Sequence, residues 1–369
     1  MKKQPKIIGF VGLGLIGGSI AKAIRYFHPD IRLIATSGRK ETVDLALSEN
    51  LIDEGYYRVD ENFGACDYIF LCAPVSCNAM HLEALKPLIK EDCIITDVGS
   101  TKTDIHTRVK ELDMEKNFIG GHPMAGSEKT GLDHSKRHLI ENAYYIVTPS
   151  GKVSPDTVSD YVEFIASLKA LPLVLDYKEH DYITAAISHL PHLIAAGLVN
   201  LVKHNDSQEQ YMKTMAAGGF KDITRIASSS PVMWQQICLT NTANIKELLE
   251  QYIADLQHIR DELEERDALA LYNFFDQARV YRDSFSSTSR GPIMPSYTIS
   301  IEIPDKTGAL AEITVLLAKH DLSIKNMNIV HNREAEFGAL TVEFYSRQDM
   351  LKAVEVLQMD SFTTYLKKN

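Results

Sequence analysis

A doubly wound parallel α/β sheet, then an all-α segment, then a small βαββαβ domain is the fold class predicted for this 369-residue chain. Three observations predict it. Short Ile/Val-rich runs alternate with helix-length amphipathic stretches up to about residue 175. Strand patterning then vanishes between 176 and 285. Finally, a polar, Gly/Pro-punctuated linker at 286–295 precedes a second set of strands at 296–369.

Within residues 1–175, "KIIGFVG", "IRLIAT", "CDYIFLCAP", "CIITDVG" and "NFIGG" read as parallel strands buried on both faces and bounded by turn residues. The intervals between them are long enough for crossover helices. Within 176–285, "DYITAAISHL", "HLIAAGLVNLVKH" and the run from 244 to 285 are helical in period. That last run carries an apolar stripe at Leu248, Leu249, Tyr252, Ile253, Leu256, Ile259 and Leu263. A helix this long must bury its stripe against the rest of the chain or against a two-fold partner. Beyond the linker, the order is strand (297–303), helix (309–319), strand (323–331), strand (337–344), helix (347–357) and a short final strand.

Composition narrows the function classes. The chain is 45% hydrophobic and 24% charged, as expected of a soluble chain with several cores. A net charge of −10 without a basic run argues against a nucleic-acid partner, which would need a basic face. Cys66, Cys72, Cys77, Cys93 and Cys238 include no CxxC and no metal-type spacing, so reduced thiols in the cytoplasm are expected. Lys2 and Lys3 before the uncharged run 7–21 superficially resemble a signal peptide, but five glycines in a patterned array read instead as strand, turn and helix. The uncharged run 183–202 is long enough to span a bilayer. Its His189, Pro191 and His192 favour a buried helix of a bundle, so no membrane partner is expected.

The first strand runs into "GLGLIG", with Gly12, Gly14 and Gly17 in GxGxxG ahead of an amphipathic helix. The first glycine permits the tight turn, the second lets a pyrophosphate reach the backbone, and the third lets helix and strand pack closely. Leu15 and Ile16 belong to the same helix start, whose unpaired N–H groups suit phosphate. This is the fingerprint of a Rossmann-type dinucleotide site. Readers of NAD usually end the second strand with an acid, whereas "TSGRK" offers Ser37 and Arg39 and no acid before Glu41. Local chemistry thus leaves NADP open. Ligands of such sheets lie beyond the strand ends, where Pro74 of "CAPV" and Asp97, Ser100 and Lys102 of "TDVGSTK" fall.

"GGHPMAGSEKTG" sets His122 among residues with little to bury, which favours a functional imidazole. "SHLPH" adds His189 and His192, whose alternative is hydrogen-bonded core packing. An HxxH zinc site would lack a third ligand, so no metal is expected. In "GGFKDITRIASSSPVMW", Lys221, Asp222 and Arg225 share a helical flank, and Asp222 with Arg225 could equally be a solvated salt bridge.

Taken together, the glycine fingerprint, "TDVGSTK", "GGHPMAGSEKTG", "SHLPH" and "GGFKDITRIASSSPVMW" resemble the prephenate/arogenate dehydrogenase family over about residues 5 to 285. The resemblance implies NAD- or NADP-dependent oxidative decarboxylation of prephenate to 4-hydroxyphenylpyruvate, with arogenate as the alternative substrate. It favours NAD. His122 would accept a hydrogen bond from the reacting hydroxyl, and Ser100 would bond the same hydroxyl beside the nicotinamide. Arg225 would grip a substrate carboxylate. His192 would lie near the substrate side chain, Glu128 at the entrance, and Lys221 and Asp222 at the pocket edge. Trp234, the only tryptophan, would reach the site of a second subunit. A β-hydroxyacid-type dehydrogenase shares the fingerprint but typically uses a lysine on the long helix.

The C-terminal "IPDKTGALAEI" and "LSIKNMNI" resemble an ACT domain, a ferredoxin-like module that binds amino acids. That resemblance implies effector contacts at Asp305, Thr307, Gly308, Ala309, Leu310, Asn326 and Asn328. L-tyrosine is the expected inhibitor, and a homodimer or larger homo-oligomer the expected assembly.

Overall fold

A computed structural model describes residues 5–126, 129–285, 297–304, 306–330 and 337–366. The chain forms two compact units, residues 1–284 and 285–369.

The first unit opens on β1 (Ile7–Val11), α1 (Leu15–Phe27), β2 (Arg32–Thr36), α2 (Lys40–Ser48), β3 (Glu54–Tyr56), β4 (Tyr68–Leu71), α3 (Asn78–Leu85) and β5 (Ile94–Asp97). These strands form a parallel sheet in the order β3-β2-β1-β4-β5. After α4 (Thr103–Glu111) come β6 (Ile119–Pro123), β7 (Tyr144–Pro149), α5 (Pro155–Ser167) and β8 (Leu171–Val174). A parallel bridge between Ile95 and Phe118 joins this second set to β5. β6 and β7 are antiparallel, while β7 and β8 are parallel. The "NFIGG" strand thus runs parallel to β5 as expected, and the direction reverses at β7, a strand the sequence reading did not single out. Local hydrophobicity carries no record of strand direction once both faces are covered. Buried apolar side chains of β1, β2 and β4 alternate between the two faces, filling one core with Phe10, Leu33 and Phe70 and another with Val11, Ile34 and Leu71.

The helical half contains α6 (Tyr177–Thr184), a π turn (Ala185–His189), α7 (Leu190–Asn205), α8 (Tyr211–Met215), α9 (Gly218–Thr224), α10 (Pro231–Thr240), α11 (Thr242–Glu265) and α12 (Ala268–Ser284). Two expectations need correction. The run from 244 to 285 is two helices, broken where Arg266 takes a left-handed φ of 57°. The apolar run 183–202 is not a buried bundle helix within the chain. The helical stretch Tyr177–Asn205 is long and apolar enough to cross a membrane by length and composition, yet only 22% of its apolar window is buried within the chain. It is nevertheless tied into the protein, because His180, Asp181, Thr184 and His189 on one side are buried against the sheet half and α11.

The second unit contains β9 (Tyr297–Pro304), α13 (Ala309–Lys319), β10 (Ile324–Val330), β11 (Phe337–Phe344), α14 (Arg347–Met359) and β12 (Thr364–Leu366). Its antiparallel sheet has the order β10-β11-β9-β12 over a core of Ile299, Ile301, Leu317, Leu340 and Leu357. Gly308, at φ 93°, opens α13, with exposed Thr307 before it and Ala309 and Leu310 in the first turn. Asn326 lies on the edge strand β10, where its Oδ1 accepts the Met327 amide at 2.9 Å; Asn328 pairs with Thr341 in the ladder. Asp305 lies outside the described residues.

Candidate active site

At the end of β1 the chain turns at Gly12, with φ of 99°, where a Cβ would lie 2.7 Å from the Ala73 backbone nitrogen. Gly17 is pressed just as closely, since a Cβ there would meet the Gly12 carbonyl oxygen at 2.6 Å. Gly14 differs. It begins α1 with no side-chain cap, and a Cβ would meet nothing within 4 Å. No acidic side chain occupies the first turn formed by Leu15, Ile16 and the residues after them. Open space ahead of unclaimed helix N–H groups fits a pyrophosphate, so these residues suit a dinucleotide. Ser37 and exposed Arg39 follow β2, and exposed Pro74 follows β4, beyond strand ends of the same sheet.

Next along the sheet lies a buried polar cluster. Lys102 has no exposed surface; its Nζ pairs with Asp97 and donates to the Gly121 carbonyl at 2.8 Å. Burial pulls the Lys102 amine below its usual value despite Asp97. Gly121 must be a glycine, because a Cβ would lie 2.7 Å from both the Asp97 carbonyl and the Tyr145 hydroxyl. The next residue is His122. It stands in β6, paired with Ile146.

His122 Nδ1 is 2.8 Å from Nε2 of His180, and His180 Nδ1 donates to Asp181 Oδ1 at 2.9 Å. Asp181 also accepts the backbone N–H groups of Lys102 and Thr103, both at 2.8 Å, and so caps α4 from α6. Burial alone would raise the Asp181 carboxyl, but bonds from His180, Thr103 and Lys102 outweigh it and hold the group below the carboxylate range. Burial, then the charges of His180, Lys102 and His189, hold His122 well below the usual histidine value. This setting favours the neutral imidazole over the charged one. Ser100, partly buried, sits in the turn between β5 and α4, two residues before Lys102.

A second group continues from the first. Asn241 Nδ2 donates to the Asp181 carbonyl at 2.7 Å and to His189 Nδ1 at 3.1 Å. Burial lowers the His189 pKa to about 4. His189 touches the Trp234 ring edge, and Trp234 stacks on His192 with ring centres 3.6 Å apart. The Trp234 indole N–H is buried without a hydrogen-bond partner. Burial lowers the His192 pKa, and the nearby Arg225 charge lowers it further. Arg225 follows α9 at the head of a 3-10 turn, so Lys221 and Asp222 lie on the helix and Arg225 just past its end. All three are exposed. Glu128 lies outside the described residues.

The structure thus brings His122, His189, His192, Trp234 and Arg225 into one sequence of contacts and electrostatic influences. His180, Asp181 and Asn241 were missed by the sequence reading. "KEHDY" offers only an adjacent His–Asp pair opening a helix, and its meaning depends on a docking 78 residues away from Thr103.

A glycine-cornered parallel sheet with a buried imidazole cluster beside its strand ends defines an oxidoreductase of the dinucleotide-binding type. Comparison with known proteins narrows this. Residues 20–173 match a family model described as the prephenate dehydrogenase nucleotide-binding domain, and residues 176–277 match the prephenate dehydrogenase dimerization domain. The chain is 37% identical over 360 residues to prephenate dehydrogenase of Bacillus subtilis, covering 97% of each chain. Among solved structures, Aquifex aeolicus prephenate dehydrogenase in complex with hydroxyphenyl propionate and NAD+ is similar at a TM-score of 0.73 and 28% identity, over 78% of this chain and 100% of that one. Synechocystis arogenate dehydrogenase is similar at 0.69 and 28%, over 76% and 99%. The chain belongs to the prephenate dehydrogenase family.

Proposed function

We propose that this enzyme converts prephenate to 4-hydroxyphenylpyruvate and CO2 in aromatic amino acid biosynthesis, with NAD as acceptor. Residues 1–175 hold the dinucleotide, 176–285 the substrate and a second copy of the chain, and 296–369 an ACT-like regulatory module that senses L-tyrosine. The observation that carries the reading is His122, whose Nδ1 lies 2.8 Å from His180 Nε2 at the seam between sheet and helices.

Bound NAD supplies a hydride acceptor. The ring hydroxyl of prephenate gains positive charge as hydride leaves its carbon, and a neutral imidazole stabilises that charge by accepting the hydroxyl's hydrogen bond. Ser100 bonds the same hydroxyl. Arg225 binds a substrate carboxylate through its planar fork, with His192 and Trp234 walling the side chain and Lys221 and Asp222 setting the field at the edge. Glu128 guards the entrance. Loss of the ring carboxylate as CO2 then completes aromatisation. The Aquifex complex with NAD+ and a hydroxyphenyl acid supports this choice of ligands. Five unpaired thiols suit the reducing cytoplasm, where we place the enzyme.

The test is steady-state formation of reduced nicotinamide from prephenate and from arogenate, with NAD and NADP in parallel and L-tyrosine titrated in. Turnover of prephenate with NAD, suppressed by tyrosine, is expected. Turnover of arogenate alone would move the substrate assignment, and tyrosine insensitivity would remove the regulatory one.

A further inference from the structure

The bond between His122 and His180 contains information that the ring positions alone do not. One hydrogen must lie between His122 Nδ1 and His180 Nε2, which are 2.8 Å apart. On the far side of His180, Nδ1 faces the ionised Asp181, which accepts hydrogen bonds and donates none. His180 therefore carries its proton on Nδ1, and when neutral it offers Nε2 as a lone pair. His122 must then donate from Nδ1, leaving its own Nε2 without a proton. The opposite arrangement, with the proton donated by His180, would put the His122 proton on Nε2 and cost it the acceptor lone pair on that side.

We infer that His180, backed by Asp181, is a positioning residue that holds His122 in its Nδ1–H tautomer, so that Nε2 is the nitrogen offered to the substrate hydroxyl. This rests on the reading of His122 as the hydroxyl's acceptor, and it adds what makes the ring competent. As positive charge builds on the hydroxyl, the Nδ1 proton of His122 shifts towards His180 Nε2, and the Asp181 carboxylate balances it. The shift reverses when the phenol keeps its own proton, so none is consumed. Asp181 is already fixed by two backbone N–H groups at the start of α4, which limits its freedom to follow a rotating ring. The groups bearing on His122 are His180 and His189 from the helical half and Lys102 from the sheet half, where Lys102 is paired with Asp97.

Nitrogen NMR of the full-length protein labelled with 15N-histidine tests the tautomer without any assay of turnover. The His122 resonances are identified by their loss in His122→Asn. A protonated Nδ1 and a bare Nε2 on His122 are expected, with a mixture of tautomers in His180→Phe. A proton found on Nε2 of His122 overturns the inference, even if prephenate proves to be the substrate. Conversely, an Nδ1–H signal with no prephenate turnover leaves the inference standing and removes the substrate reading.

Kinetics supply the second arm. His180→Phe should lower kcat about tenfold to a hundredfold at nearly constant KM and move the acidic limb of its pH profile. His180→Gln, whose amide oxygen can accept the Nδ1 proton, should recover most of the loss. In a His122→Asn background the His180→Phe change should have almost no further effect. Equal losses in both backgrounds, or parallel losses in kcat and KM without rescue by glutamine, would reduce His180 to a packing residue.

Discussion

Within the first unit, the sheet half closes over its own side chains, whereas the helical half leaves many of its own uncovered. Phe10, Phe70 and Tyr161 have no exposed surface, but Leu239 is 71% and Phe275 68% exposed. Of the α11 stripe, Ile253, Leu256 and Leu263 all stand exposed. The sheet half obtains its hydrophobic stabilisation, about 25 cal/mol per Å2 of apolar surface removed from water, within one chain. The helices must find theirs on another surface. The match of residues 176–277 to a dimerization domain supports our proposal that a second copy provides it. Apolar content alone therefore does not reveal which half can stand by itself.

The largest expected effect breaks the self-sufficient half. Lys102→Met leaves the buried Asp97 carboxylate unpaired and should cost about 3–5 kcal/mol in denaturant unfolding. A loss below 1 kcal/mol would mean that the closed half does not depend on its buried ion pair. At the seam between the halves, His122→Asn should lower kcat by about a hundredfold or more, close to 3 kcal/mol of activation energy, while dinucleotide affinity holds. Near-normal turnover would take His122 out of the chemistry.

Leu239→Glu sharpens the contrast from the other side. If a second chain covers that face, the charge should weaken the assembly by about 2 kcal/mol, read by sedimentation, without unfolding the sheet half. An unchanged sedimentation profile would mean that Leu239 faces water in the assembly.

The last comparison sets the halves against each other by pH, through an effect that accumulates gradually. Burial lowers His106 in the sheet half and His189 in the helical half to about 4. Below about 6.5 the unfolded chain binds protons that these folded histidines refuse. Stability is therefore full above that pH and falls by about 1.4 kcal/mol per pH unit for each such group as pH drops towards 4. His106→Gln and His189→Gln should each flatten that slope in thermal melts between pH 4 and 6.5. An unaltered slope would show that the replaced ring is protonated in the fold.

How far the sequence reveals all this varies by element. The runs "KIIGFVG" and "CDYIFLCAP" announce central strands because they are short, branched and bounded by turns. β8 is hidden by Pro172, which is tolerated there because β8 lies at the sheet edge. β3 has only three residues, too few for any period to register. The break between α11 and α12 falls at an arginine in a left-handed conformation, where a glycine would have marked it. In the candidate site, His122 and the glycines are legible because their neighbours exclude ordinary packing. His180 and Asp181 are not, because their partners are chosen by the docking of α6 against α4.

On the inference drawn above, Asp181 links the chemistry at His122 to the seating of two helices. The same carboxylate that backs His180 caps α4 from a helix belonging to the other half. A nascent or partly unfolded chain whose helices have not yet seated would still present its glycine turn to a dinucleotide. It would lack the proton arrangement that arms His122. On the same inference, the proton arrangement at His122 is complete only when both halves have come together.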